Sequence, residues 1–408
     1  MTPLKTVNQP TLERCRICGH GGLVPYLDLG VTPLANSYLT KDDLGKSEYR
    51  VPLVLALCES CGLSQLTEVV EPDLMFRNYL YVSSTSKTFR DHCDELAATA
   101  ILASGAIPGD RIVDIASNDG YLLSRFKERG LIALGVDPAR NLVADSSARG
   151  VETIVDYWSV DVALSILQDR GSTRIITATN VLGHVEDLRD FVAGVRAALH
   201  RDGVFVLEVP YLLDMIADDE FDTIYHEHLS YFAISPIVRL MAKYDLDVFD
   251  VQHFPEIHGG TIRLFVGRHR TPSVAMMIAM MREEKFGYRG LDAYRKFADR
   301  VREKRDRLIR AVQVALSSGK IVWAYGASAK GNTLMNYLGL DADSVPVVID
   351  DNPKKWGLYT PGAHMRIAGP EELARSNVSS LLLLAWNFRD EIVRRCRDMG
   401  YDGTFIVP

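Results

Sequence analysis

Arg111-Ile112-Val113-Asp114-Ile115-Ala116-Ser117-Asn118-Asp119-Gly120 decides the fold. The first six residues read as a buried strand carrying an acid, Ser117 to Gly120 as a turn, and Tyr121-Leu122-Leu123-Ser124-Arg125-Phe126 as the opening of a helix. Ile132-Ala133-Leu134-Gly135-Val136-Asp137 is a second buried strand ending in a second acid. Asp114 and Asp137 are twenty-three residues apart, which a strand–turn–helix–strand unit needs to bring both strand ends to one sheet edge. Further strands are expected at Arg174–Thr179 and Gly203–Val209, so the chain from about residue 76 reads as a doubly wound α/β domain.

The turn selects the ligand. An acid at the end of each of two successive strands, with a glycine-bearing turn between them, is a nucleoside-binding pattern in which Asp137 accepts both ribose hydroxyls. A dinucleotide fingerprint needs Gly-x-Gly-x-x-Gly so that the backbone can approach a pyrophosphate, and here Gly120 alone of those glycines is present. Asp114 is suited to a cationic amino-acid end, which favours S-adenosylmethionine over NAD, with Ala116, Ser117, Asn118 and Gly120 around it. Asn180-Val181-Leu182-Gly183-His184-Val185-Glu186-Asp187 follows the next strand, where such folds line the methionine end of that cofactor; Asn180 is its candidate. Ser235-Pro236 reads as an N-cap with proline at the first helical position, opening a helix to about Tyr244. Leu246–Val251 and Thr261–Gly267 are expected to pair as a hairpin, and an antiparallel hairpin closing a parallel sheet is how class I methyltransferase folds end.

Outward from this domain, Cys15/Cys18 and Cys58/Cys61 form two Cys-x-x-Cys pairs, each followed by a glycine. Two such knuckles complete a tetrahedral four-thiolate site for which zinc is the default metal, and four thiolates leave no open position, so its role is structural. The thirty-nine residues between the knuckles exceed a minimal zinc ribbon, and the metal is expected to pin a small irregular subdomain of about 70 residues. Cys93 and Cys396 read as buried hydrophobes. On the other side a long helix is expected from about Asp292 to Ser318, capped by Gly319, then a smaller α/β unit with strands near Ile321–Tyr325, Val345–Asp350, Ser380–Ala385 and Thr404–Val407. The expected domains are therefore residues 1–75 for zinc, 76–275 for S-adenosylmethionine and 276–408 as a C-terminal α/β unit, packed into one body.

Composition narrows the partners. The 408 residues are 47% hydrophobic and 24% charged, values of an ordinary globular protein. Forty-six basic against 53 acidic residues give a net charge of −7, without the basic excess of a nucleic-acid binder. Apolar runs such as Leu381–Trp386 fall far short of the roughly 20 residues that cross a bilayer, so no membrane partner is expected. The first ten residues lack the apolar core of a secretion signal, and the expected compartment is the cytoplasm.

The densest polar cluster, Tyr225-His226-Glu227-His228, lies beyond the strand ends where α/β proteins bind ligands. Histidine suits a general base near neutral pH, glutamate can orient it, and a tyrosine hydroxyl can steady an oxyanion. In the last domain Gly326 to Thr333 has the glycine spacing of a phosphate loop but Asn332 where its lysine should stand. Ser328, Lys330 and Asn332 at a helix amino end, with Asp351 and Lys354 after the next strand, make a candidate anion seat, or else a tight strand-to-helix turn. His258, Gly259 and Arg263 are further phosphate candidates.

Together Cys15-Arg16-Ile17-Cys18-Gly19, Leu57-Cys58-Glu59-Ser60-Cys61-Gly62, Tyr79-Leu80-Tyr81-Val82-Ser83-Ser84-Thr85-Ser86, Ala116–Leu123, Tyr225–His228, His258-Gly259-Gly260-Thr261-Ile262-Arg263 and Tyr325–Thr333 resemble a known family over nearly the whole chain. It is the S-adenosylmethionine-dependent sugar C-methyltransferases, which act on nucleotide-linked 4-keto-6-deoxyhexoses. The resemblance implies methylation at carbon 3 through an enolate, with His228 as base, Tyr225 and Glu227 around it, and Tyr79 reaching in from the preceding segment. Carbon 5 is equally activated by the ketone, and another small metabolite is the alternative substrate. The rivals are an NAD-dependent oxidoreductase, disfavoured by the missing glycines, a zinc-knuckle RNA methyltransferase, disfavoured by the acidic charge, and a non-enzymatic nucleotide-binding scaffold.

Overall fold

The computed structural model describes residues 13–77, 82, 84, 87–257 and 259–408. Three sheets organise it. Strands β1 (Val24–Pro33), β2 (Arg50–Leu57) and β3 (Ser64–Leu66) form an antiparallel meander. The metal-binding region is thus a regular sheet rather than the irregular subdomain expected. Leu53, Leu55 and Leu57 on β2 supply the buried side that makes it one.

β4 (Arg111–Ile115), β5 (Ile132–Val136), β6 (Glu152–Ile154), β7 (Thr173–Thr179) and β8 (Leu199–Pro210) are parallel. A two-residue strand, β9 (Ser230–Tyr231), leaves this domain and pairs antiparallel with β3, so the N-terminal sheet is completed by the segment that follows His228. β10 (Asp247–Phe254) and β11 (Thr261–Gly267) form the expected hairpin, and β11 pairs antiparallel with β8. The order β10-β11-β8-β7-β4-β5-β6 has a switch point between β4 and β7, where both chains run away from a shared crevice at their carboxyl ends. Asp114 on β4 pairs in register with Gly135 and Thr177.

The helix expected to be capped by Ser235 starts earlier, at Ile234, with Ala233 as its cap. Ser235 instead lies in the first turn, where its N–H and hydroxyl donate to the buried Glu283 carboxylate at 2.8 and 2.6 Å. An acid from the next helix, Val274–Phe286, does the capping that a local side chain was expected to do.

The long helix runs Leu291–Ser317. Beyond it, β12 (Val322–Tyr325), β13 (Val347–Ile349), β14 (Arg366–Ala368), β15 (Ser380–Leu383) and β16 (Thr404–Ile406) form a parallel sheet in the order β14-β13-β12-β15-β16. One apolar cluster takes Leu53 and Leu55 from the first sheet, Phe221 and Ile224 from the middle domain, Phe297 and Val301 from the long helix, and Leu334 and Leu382 from the last domain. The three units therefore share a core. Among the described residues no helix is long and apolar enough to cross a membrane.

Candidate active site

At the carboxyl end of β4, Ala116, Asn118 and Gly120 all take positive φ (58°, 51° and 73°), which coils the turn tightly over the crevice. The Asp137 carboxylate accepts the Asn118 N–H at 2.8 Å and the Ala139 N–H at 2.7 Å, so it is clamped by backbone yet keeps lone pairs for two hydroxyls. Asp114 is buried and accepts a hydrogen bond from the Thr177 hydroxyl at 2.6 Å; desolvation pushes it up to about 7. A cationic ligand group beside it would return it to the charged form. Across the crevice, Asn180 also has positive φ, and its Oδ1 and the Thr179 hydroxyl are buried with no partner among the described residues. Acid, clamped acid and unmet polar atoms on one strand edge fit S-adenosylmethionine.

Tyr225 and His228 are brought together as their spacing predicts, with ring centroids 4.1 Å apart. His228 Nδ1 lies 2.7 Å from the Thr223 carbonyl, which can only accept, so Nδ1 carries the proton and Nε2 keeps its lone pair. Burial, the nearby His184 and the Lys330 charge hold His228 down to about 3, hence neutral at physiological pH. His184, on the loop after β7, meets it edge to face at 4.9 Å, and burial holds His184 down to about 4. Glu227 points elsewhere: Oε1 accepts from Asn36 Nδ2 at 2.6 Å, Oε2 is buried and unpartnered among the described residues, and burial pushes the acid up to about 7. His226 turns into the N-terminal sheet, its Nε2 3.1 Å from the Val51 carbonyl.

The four knuckle sulfurs lie within 4.8 Å of one another, with Cys15 Sγ 3.4 Å from Cys61 Sγ and Cys18 Sγ 3.6 Å from Cys58 Sγ. A tetrahedron with Zn–S bonds of about 2.3 Å has edges of about 3.8 Å, so this donor set fits zinc. Gly62 has φ +81°, and a Cβ there would stand 2.3 Å from the Tyr288 ring. Four thiolates leave no open position on the metal, so this site is read as structural.

The substrate-side residues divide. Lys330 is near enough to depress His228, and its Nζ pairs with Glu220 at 3.3 Å. Ser328 caps the helix Ala329–Leu338, accepting the Gly331 N–H at 3.1 Å. Gly326 packs so closely that a Cβ would meet Ala385 at 2.7 Å, so the tight-turn requirement accounts for that glycine. Asn332 is buried, donates to the Ala35 carbonyl at 2.7 Å and leaves Oδ1 unpartnered among the described residues.

Others stand apart from any anion seat. Arg263 is fully buried, bonded to Glu208 at 2.6 Å, Glu95 at 2.5 Å and Gln252 at 3.0 Å, and serves the fold rather than a phosphate, because β11 is an interior strand with both faces covered. Gly259 abuts the Glu220 carboxylate, which repels an anion. Asp351 is half-exposed and taken by Tyr325 and Arg395. Lys354 is exposed, and it is Lys355 that turns inward, donating to the Ala327 carbonyl at 2.7 Å over the Tyr38 ring. Tyr79 and His258 lie outside the described residues.

Comparison with known proteins finds three family matches along the chain, the last of which begins within the β10–β11 hairpin. Residues 15–76 match the family described as "Putative zinc binding domain", 85–251 "Methyltransferase domain", and 256–408 "C-methyltransferase C-terminal domain". C-methyltransferase NovU of Streptomyces niveus is 35% identical over 97% of this chain and 95% of its own. The chain belongs to the C-methyltransferase family. It is an S-adenosylmethionine-dependent C-methyltransferase that acts on a small molecule and has a zinc-binding N-terminal domain. Among solved structures, a Synechocystis PCC 6803 magnesium protoporphyrin IX methyltransferase with bound SAH is 15% identical, covering 44% of this chain and 82% of its own at a TM-score of 0.35. A Clostridium acetobutylicum S-adenosylmethionine-dependent methyltransferase is 13% identical, covering 44% and 92% at a TM-score of 0.36. Likenesses so remote carry no argument about this enzyme's chemistry.

Three further residues that the structure brings to this candidate site carry no role in the sequence reading. His184 lies in the Asn180–Asp187 loop, and a histidine just past a parallel strand end is a recognisable signal. Asn36 and Tyr38 come from the N-terminal unit, Asn36 to Glu227 and Tyr38 to the Ala327 carbonyl at 2.6 Å. They lie almost 200 residues from the Tyr225–His228 loop and carry no local signal.

Proposed function

We propose that this enzyme methylates carbon 3 of a nucleotide-linked 4-keto-6-deoxy sugar through an enolate formed by His228. The carrying observation is the fixed tautomer: Nδ1–H donates to Thr223, and the neutral Nε2 is the base. A carbon becomes nucleophilic when an adjacent ketone acidifies its hydrogen. In the step proposed, Nε2 takes the proton from carbon 3, and the C–H electron pair becomes the enolate. S-adenosylmethionine supplies an electrophilic methyl group, which carbon 3 receives as the C–S bond breaks with its electrons to sulfur. The Tyr225 ring against His228 confines the imidazole, and the tyrosine, with Tyr79 by resemblance, is assigned to the oxyanion. The cationic Lys330 adds favourable field for that developing charge.

The nucleotide is assigned to the C-terminal unit, with the Ser328 helix end, Lys330, Asn332 and Lys355 as its contacts. Support for the sugar class is the resemblance of the ordered motifs; support for a cytoplasmic location is that none of the six cysteines is paired in a disulfide, four of them forming the metal-binding cluster. The acidic net charge supports a partner list without nucleic acid. Incubation with S-adenosylmethionine and a panel of thymidine- and guanosine-linked 4-keto-6-deoxyhexoses, read by mass spectrometry, tests it. A gain of one methylene is expected, and fragmentation distinguishes carbon 3 from carbon 5. No gain on any ketosugar while the cofactor binds would remove the substrate assignment.

A further inference from the structure

We propose that Arg16, inside the first metal knuckle, is a positioning residue for the Tyr225–His228 loop. The inference rests on the reading of His228 as the base. Arg16 stands between the ligands Cys15 and Cys18 and is 7% exposed. One of its nitrogens, Nη1, donates to the Leu229 carbonyl at 3.1 Å, the Leu66 carbonyl at 2.9 Å and Gln65 Oε1 at 3.1 Å. The Leu229 carbonyl also receives the Leu66 N–H at 2.9 Å. Leu229 directly follows His228, and β9 then pairs with β3. A single guanidinium nitrogen thus joins the metal knuckle, the N-terminal sheet and the carbonyl one residue past the base.

The nearby Glu186 charge favours a cation here, yet it leaves part of the guanidinium unmet. Its Nε and Nη2 are buried and have no partner among the described residues. Burying a cation with unmet donors costs more than an apolar side chain of similar volume would. What an apolar side chain cannot do is donate to two carbonyls and so fix the spacing between knuckle and loop. The other ties reinforce the same frame: His226 to Val51 and Glu227 to Asn36 also run from this loop to the N-terminal unit. Thr223, which sets the His228 tautomer, lies on the same stretch. A shift of about 1 Å in a reacting group costs on the order of 100-fold in rate, so a tie at the adjacent residue is where such a shift would be prevented.

The test uses the full-length, zinc-loaded chain and hydrogen–deuterium exchange read by mass spectrometry, comparing wild type with Arg16→Met and Arg16→Lys. In Arg16→Met, peptides spanning 221–231 are expected to exchange about tenfold faster or more, with those spanning 111–120 unchanged. One zinc per chain and the affinity for S-adenosylmethionine are retained, and turnover of the ketosugar substrate falls ~100-fold. Arg16→Lys, which keeps the cation but offers one donor group, falls between the two. Should Arg16→Met lose its metal, Arg16→Lys decides by the same peptides. Wild-type exchange in 221–231, or faster exchange spread evenly over the chain, overturns the proposal. The exchange readout needs no substrate, so it stands apart from the base assignment, which falls separately if His228→Asn turns over normally.

Discussion

Replacing His228 with asparagine removes one nitrogen and leaves the other. The asparagine amide falls near the place of Nδ1, so the bond to Thr223, 2.7 Å in the native site, survives and the loop keeps its anchor. What disappears is the lone pair on Nε2. Losing a positioned base lowers turnover ~100- to 10,000-fold, a barrier increase of about 3 to 5 kcal/mol. His184, with its ring centroid 4.9 Å from that of His228 and also neutral, can take over part of the proton transfer, which sets the single variant toward the milder end. The double variant with His184→Asn then reaches the severe end. The assay isolates the base step: with S-adenosylhomocysteine in place of the methyl donor, the ketosugar is held in heavy water and deuterium uptake beside the ketone is followed by mass spectrometry. Wild-type uptake by a folded His228→Asn protein would refute the reasoning, whatever happened to methyl transfer.

Glu227 carries a pH signature, because burial raises it from 4.5 to about 7 in the folded chain. Between these values the native state binds the extra proton, so this group's contribution to stability falls as pH rises, by up to about 3 kcal/mol above pH 7. Glu227→Gln keeps an acceptor for Asn36 and removes the titration, so its melting temperature relative to wild type should climb from pH 4.5 to 7.5; a constant difference contradicts the shift. Asp137→Asn puts an amide donor against one of the two N–H groups that the carboxylate now accepts, and S-adenosylmethionine should bind more weakly by about 1 to 3 kcal/mol in calorimetry. Gly62→Ala meets the Tyr288 ring and a left-handed φ, and thermal unfolding should show a loss of about 1 to 3 kcal/mol. Dialysis against a strong chelator should release one zinc per chain and unfold the first sheet with loss of turnover; turnover lost without any change in circular dichroism opposes a structural metal.

Local chemistry was the legible part. Asp114, the glycine turn and Asp137 belong to one strand–helix–strand unit whose geometry follows from spacing, and the two cysteine pairs announce a metal by themselves. Tyr225 and His228 met because residues three apart on a turn must. Long-range pairing left no such trace. β9 is two residues long and its partner β3 lies some 165 residues earlier, so neither the strand nor the completed N-terminal sheet is written in periodicity. Arg263 misled because a positive residue near glycines looks like a phosphate ligand, although a single arginine in the apolar run Thr261–Val266 is also how a buried ion pair reads. Lys354 and Lys355 are adjacent on a short 3-10 turn, and which of them faces inward is settled by how that turn packs on Tyr38.

The central claim is carbon–carbon bond formation beside the ketone of a nucleotide-linked sugar. S-adenosylmethionine labelled with carbon-13 in its methyl group, supplied with the ketosugar that gains mass, puts that claim to carbon-13 NMR. The account predicts a labelled methyl coupled directly to carbon 3, beside an intact carbonyl at carbon 4. A label attached to oxygen or nitrogen, or coupled to carbon 5, would contradict it.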